Sequence, residues 1–166
     1  KNIDLDIPRD KLVVITGVGI GEVLFDVFED GTETLGGAPL NFAVHAHQLA
    51  RQLDLGRGII VSCINSDHRG NRILEELGRL GISTRYLGRD PGHPTGRVSV
   101  FMRNGEPVYQ IETGSAWDHI TEGPGFEKLA GCCDAVCFGS LAQRGEVSRR
   151  TIQAVLDAFS VTVDGE

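Results

Sequence analysis

Asp26 is a carboxylate set inside an apolar stretch, Val23-Leu24-Phe25-Asp26-Val27-Phe28, and further along the chain reads Gly36-Gly37-Ala38-Pro39-Leu40-Asn41. A polyol needs fixed acceptors and donors at close range. A carboxylate accepts from two adjacent hydroxyls, an amide both accepts and donates, and glycines let backbone and ligand approach each other. Each residue also has a purely structural reading: Asp26 capping a turn, the glycines forming one, Asn41 capping the helix that follows. Spacing alone leaves both sets of readings standing. Gln143 and Arg144 follow an expected strand end, the place where open α/β sheets bind ligands. They read either as substrate contacts or as a solvated surface pair.

Other candidate constellations fail on spacing. Gly17-Val18-Gly19-Ile20-Gly21 resembles a dinucleotide-binding turn, but the position of the third glycine is Glu22, and an apolar strand follows where a helix would have to meet a pyrophosphate. His45 and His47 are two apart and point to different sides of a helix. His93 and His119 read as solvent-exposed loop residues, so no metal site is expected. Cys63, Cys132, Cys133 and Cys137 show neither Cys-x-x-Cys spacing nor a disulfide framework, and read as buried free thiols.

The elements that must position these residues follow from periodicity. Residues 12–18, 58–64 and 135–138 are short, β-branched apolar runs that suit strands covered on both faces. Residues 23–28 form another strand, ended by the turn residues Glu29-Asp30-Gly31. Pro39 stands where helices begin, and Phe42, Ala43, Ala46, Leu49, Ala50 and Leu53 recur at helical spacing. A second helix is expected over about 69–80, with a Glu75–Arg79 pair and a stop at Gly81. Asn104-Gly105 between two strand-like runs predicts an antiparallel hairpin over 95–112.

A short helix is expected near 125–131. A last helix is expected to be capped by Ser148, stapled by Val147 and Ile152, and continued by Val155, Leu156 and Phe159. Residues 160–164 read as the start of one more strand. Buried strands alternating with helices argue for a parallel α/β core, with a small antiparallel β excursion.

The 166 residues suit one domain, and their net charge of −7 with no basic stripe argues against nucleic acid as a partner. No apolar run approaches the roughly 18 residues that span a bilayer, and Lys1–Lys11 is too charged for a secretory leader. A cytoplasmic location with no membrane partner is the resulting expectation.

Gly36-Gly37-Ala38-Pro39-Leu40-Asn41-Phe42-Ala43 is similar to the N-terminal signature of the PfkB (ribokinase-like) carbohydrate kinases, and Gly21-Glu22-Val23-Leu24-Phe25-Asp26 resembles their opening substrate segment. Further matches are Asp67-His68-Arg69-Gly70, Gly81-Ile82-Ser83-Thr84, Pro94-Thr95-Gly96, Ala116-Trp117-Asp118 and Phe138-Gly139-Ser140-Leu141. Gly-Glu-x-Leu-x-Asp and Gly-Gly-Ala-Pro-x-Asn fit the fructokinase-like branch. Two departures stand out: Ile64-Asn65-Ser66-Asp67 replaces a usual Gly-Asp-Asp after an apolar residue, and Ala50 takes a usual glycine position.

The resemblance implies a ribokinase-like, Rossmann-like parallel sheet with flanking helices over 1–166, and a β lid from about 22–35 and 95–113. It implies sugar contacts from Asp26, Gly36, Gly37 and Asn41, with Phe101 packing either on the sugar or within the lid. Fructose leads as substrate, ahead of 2-keto-3-deoxygluconate, other ketohexoses, ribose and nucleosides. The full-length family uses ATP and Mg2+, with an aspartate in a Gly-Ala-Gly-Asp motif as general base and a helix N-terminus as anion hole. That motif does not occur in these residues. The chain therefore reads as the sugar-binding half of a carbohydrate kinase, inactive alone and binding no nucleotide tightly. The alternatives are a non-catalytic sugar-binding or lid-mediated dimerisation module, or half of a split enzyme. A homodimer through the lid or an open sheet edge is also expected.

Overall fold

Residues 15–54 and 56–163 are described by the structure, a computed structural model. A parallel sheet carries the order β5-β4-β1-β8, from Ile15–Ile20 (β1), Gly56–Ile64 (β4), Leu87–Arg89 (β5) and Ala135–Phe138 (β8). Residues 12–14 of the first expected strand lie outside the described residues. The β-branched run of β4 is buried on both faces because helices cover each side. On one side Leu40 and Ala43 of α1 (Ala38–Leu53) and Ile73 and Leu77 of α2 (His68–Leu80) meet Ile60 and Ile64. On the other, Leu129 of α3 (Phe126–Ala130), Ile152 and Val155 of α4 (Glu146–Val163), and Trp117 in a 3-10 turn pack on Val18, Ile20, Ile59 and Val61.

The Gly17/Gly19 pair serves this packing. A Cβ on Gly19 would stand 2.0 Å from the Pro39 carbonyl oxygen, and one on Gly17 would stand 2.9 Å from the Ala46 Cβ. These glycines let α1 lie close on β1, and the space a phosphate would need is filled by helix backbone.

A second sheet has the order β3-β2-β6-β7, from Leu24–Phe28 (β2), Glu33–Gly36 (β3), Gly96–Arg103 (β6) and Glu106–Ile111 (β7). The hairpin turn is as expected, with Asn104 and Gly105 at φ 51° and 83°, the two left-handed positions of a type I′ turn. The excursion is not purely antiparallel, however: β2 and β6 pair in parallel. The chain between them runs through α1, β4, α2 and β5, long enough for a crossover instead of a tight turn.

Other local expectations are corrected. Arg79 pairs with Glu76, at 2.6 Å, one turn before it, in place of Glu75. Ser148 is no helix cap: α4 starts at Glu146, and the buried Ser148 hydroxyl donates to the Trp117 carbonyl (2.8 Å) and accepts from the Ile120 N–H (2.9 Å). Its oxygen is committed to the turn against which α4 packs. Residues 160–163 continue α4 instead of starting a strand, extending a helix already established over residues 146–159. Residue 164 lies outside the described residues. Of the four cysteines, Cys63 is buried, Cys133 and Cys137 are half-buried, and Cys132 is exposed on the turn that ends α3. Burial pushes the Cys63 thiol up to about 11.

Candidate functional site

From β1 the chain builds β4 and β5 on one side, then returns to place β8 on the other. The strand order therefore reverses at β1, and ligand crevices in open α/β sheets lie beyond the carboxyl ends of strands at such a point. Glu22 stands just past the end of β1, and Gly139 just past the end of β8. A Cβ on Gly139 would be 3.5 Å from either Glu22 carboxylate oxygen.

Glu22 is 5% exposed. Its Oε1 accepts the Ala38 N–H at 3.3 Å, at the first turn of α1, whose cap residue Gly37 brings no side chain of its own. Its Oε2 is buried and has no hydrogen-bond partner. Burial raises this carboxyl above its usual range, opposed by hydrogen bonds to backbone N–H groups and by the Arg144 charge. Sequence reasoning used Glu22 only within a motif; its functional signal was a lone acid between two apolar strands. Gly37 is required here twice over, since it sits at φ 117° and a Cβ would be 2.2 Å from the Glu22 carbonyl oxygen.

Asp26 lies on β2 opposite Thr34 of β3. A Cβ on Gly36 would stand 2.7 Å from Asp26 Oδ2, so a side chain there would push that carboxylate out of its present position. Among the described residues the Asp26 carboxylate has no hydrogen-bond partner, and it caps no turn. It is half-buried, and burial raises its pKa. Asp26, Gly36 and Gly37 thus lie near one another, with Glu22 against Gly37. Asn41 sits one turn into α1, with its backbone N–H on the Gly37 carbonyl (2.9 Å) and its side chain exposed. Gly37, not Asn41, holds the cap position.

Phe101 does not join this set. The β2–β6 register pairs Asp26 with Val98, so strand alternation puts Phe101, with Arg97 and Ser99, on the opposite face of the lid. Gln143 donates to the Gly139 carbonyl at 3.2 Å. Arg144 grips both Asp118 oxygens (2.8 and 2.9 Å) and the Glu112 carbonyl (2.6 Å), and lies 4.1 Å over the Trp117 ring. It is exposed but not free: it ties the end of the β6–β7 hairpin to the turn before α4, and borders an open cleft with Thr113, Gly114 and His119.

Two clusters escaped the sequence reading. Glu33 on β3, 17% exposed, is held by Arg69 (Nε at 3.0 Å) and Arg72 of α2, and Arg72 stacks 4.4 Å over Phe25. His93 and His119, read as separate exposed loop residues, stack at 3.6 Å beside Asp90.

The three-layer parallel sheet with its mixed β lid is the ribokinase-like α/β fold. None of the known protein-family models matches the chain. It is 27% identical, over 147 residues, to a sugar kinase of Pyrococcus horikoshii, covering 82% of this chain and 46% of that protein. The solved structure of that protein, described as an uncharacterized sugar kinase, superposes with a TM-score of 0.71 over 87% of this chain and 48% of its own, at 24% identity. Fructokinase from Halothermothrix orenii gives 0.76 at 19% identity, covering 89% of this chain and 54% of its own. Fructokinase from Xylella fastidiosa, solved with ATP bound, gives 0.71 at 18%, covering 89% and 46%. The chain resembles the PfkB and fructokinase-like sugar kinases, as its motifs imply, and spans about half the length of the relatives it matches. Among the described residues, no helix is long and apolar enough to cross a membrane.

Proposed function

We propose that this chain forms the sugar-binding part of an ATP-dependent carbohydrate kinase, fructose or a related ketose being the substrate. One observation carries the reading: a half-buried carboxylate with free lone pairs, Asp26, faces Gly36 at the rim of the sheet's switch point. Two hydroxyls of a sugar would supply its missing donors. Gly36 and Gly37 would allow ring and backbone to approach, and Asn41 would reach from the first turn of α1. The lid strands would close over the ligand, with Phe101 on their outer face.

The described residues do not fit a nucleotide. Gly17 and Gly19 are filled by α1, and the N-terminus of α1, the natural anion site, already holds the Glu22 carboxylate, which repels phosphate. We therefore assign no proton transfer and no phosphate contact to these residues, and no ATP or Mg2+ site to them. The exposed Phe101, Met102, Val108 and Tyr109 of the lid support a homodimer contact there.

A coupled MgATP phosphorylation assay of the purified chain over fructose, 2-keto-3-deoxygluconate, ribose and adenosine tests the assignment. No turnover alongside saturable sugar binding is expected. Turnover by these residues alone would overturn it, and would send the search for a base to Asp26 and Glu22.

A further inference from the structure

We propose that Asp90, His93 and His119 form a binding site for a divalent cation of the Zn2+ class, one that clips together the two segments joining the β6–β7 hairpin to the α/β body. One atom from each of the three side chains lies within 4.8 Å of those of the other two. A tetrahedral zinc centre with bonds of about 2.0–2.1 Å sets its ligand atoms roughly 3.3 Å apart. The two imidazoles stack at 3.6 Å with their planes 12° apart, and His93 Nδ1 is hydrogen-bonded to Asp90 Oδ2 at 2.7 Å, so binding requires one ring to turn out of the stack until both nitrogen lone pairs point at the ion, with the proton of the Asp90–His93 pair released. Two imidazoles and a carboxylate suit Zn2+, Co2+ or Ni2+ better than Mg2+ or Ca2+, which favour oxygen ligands. Three protein ligands leave a position open to water. The half-exposed side chains, 37% for His93 and 20% for Asp90, give a cation a route in.

The backbone already holds the ligands in place. Asp90 donates its N–H to the Ile64 carbonyl (3.0 Å), and its Oδ1 accepts from Gly92 (2.7 Å). Its Oδ2 meets His93 Nδ1 at 2.7 Å. Asn65 Nδ2 holds the His93 carbonyl at 2.8 Å, and the Ala116 N–H reaches the Pro94 carbonyl at 2.8 Å. His119 ends the 3-10 turn whose buried Trp117 and Asp118 lock it to Arg144. Residues 90–95 lead into β6 and residues 112–119 leave β7, so a shared cation would staple the hairpin at its root.

The test is a Co2+ titration of the purified chain by visible absorption, paired with Zn2+ calorimetry, on wild type, His93→Ala, His119→Ala and the exposed control His68→Ala. Expected are one cation per chain, d–d bands without thiolate charge transfer, and a loss of at least about tenfold in affinity for the first two variants only; changing an outer-shell partner alone costs about that much. At about a hundredfold excess over Kd, Zn2+ should raise the thermal midpoint of wild type by roughly 5–10 °C and leave His119→Ala unmoved. Should an alanine variant fail to fold, His119→Gln, checked by circular dichroism without metal, takes its place. Unchanged affinity in both site variants, no binding at all, or a thiolate band abolished by Cys132→Ser with Cys133→Ser would overturn the proposal.

Discussion

Glu22→Gln should stabilise the chain at about pH 8 while weakening whatever binds at the switch point. The carboxylate is 5% exposed, has one hydrogen bond on Oε1, and leaves Oε2 buried without a partner. A buried, unsatisfied polar atom costs about 1–3 kcal/mol, and more when charged. Glutamine keeps the acceptor for the Ala38 N–H and removes the charge, while its Nε2 takes the partnerless place of Oε2, so only the charge part of the cost, about 1 kcal/mol, should be recovered, or roughly 2–4 °C in Tm for a chain of this size. Because burial raises the folded carboxyl above 4.5, the native state holds a proton that the unfolded chain has lost between 4.5 and the folded midpoint. Stability therefore falls as pH rises through that window and stays lowered above it. The advantage of glutamine should be full at about pH 8 and close as pH drops towards 4.5. Urea unfolding of both proteins at a series of pH values reads this directly. A Glu22→Gln variant less stable than wild type at pH 8 by more than about 1 kcal/mol would refute the reasoning, and would make Glu22 a net stabilising cap of α1.

Gly37→Ala should cost about 3–5 kcal/mol in urea unfolding, since it combines a φ of 117° with a Cβ 2.2 Å from a backbone oxygen. Arg144→Met should cost about 2–3 kcal/mol because Asp118, 8% exposed, loses its bidentate partner; the figure is discounted for the partial exposure of the arginine. Adding Asp118→Asn should restore part of that loss. Glu33 behaves oppositely to Glu22: its burial, which would raise the pKa, is outweighed by Arg69 and Arg72, so the folded value is lowered. Its contribution is present above 4.5 and lost as pH falls through the folded midpoint. Glu33→Gln should therefore cost about 1 kcal/mol at neutral pH, and the cost should shrink steadily as pH falls below 4.5.

The parallel core was legible because β-branched runs and helical periods each describe a complete buried face: residues 58–64 and 135–138 became β4 and β8, and the glycine loop fed α1. The hairpin was legible because Asn104-Gly105 fixes its own turn. β3 and β5 were not, being only four and three residues long, too short for a two-residue alternation to show. Ser148 and residues 160–163 were misread because local chemistry favoured a cap and a strand, while the Ser148 hydroxyl is taken by the turn at Trp117 and Ile120 and the helix of α4 runs on to Val163. In the site, the closeness of Asp26 and Gly36 follows from the pairing of β2 with β3, and Gly37 follows directly as the cap of α1. Glu22's unsatisfied oxygen and the Asp90–His93–His119 cluster depend on folding distance, which no spacing encodes. The sequence left Phe101 open between sugar and lid because its face depends on the β2–β6 register.

The most direct test of the central claim is a sugar titration of the isotope-labelled chain, followed by amide NMR, with Asp26→Asn in parallel. The account predicts saturable shifts at Glu22, Asp26, Gly36 and Gly37 with at least one ketose. It also predicts a loss of more than about tenfold in affinity for Asp26→Asn, since charge-assisted hydrogen bonds are worth about 1.5–3 kcal/mol each, with a thermal midpoint at neutral pH that is not lowered, because burial raises the Asp26 pKa. Sugar binding that is undiminished in Asp26→Asn, or shifts that bypass these residues, would contradict it.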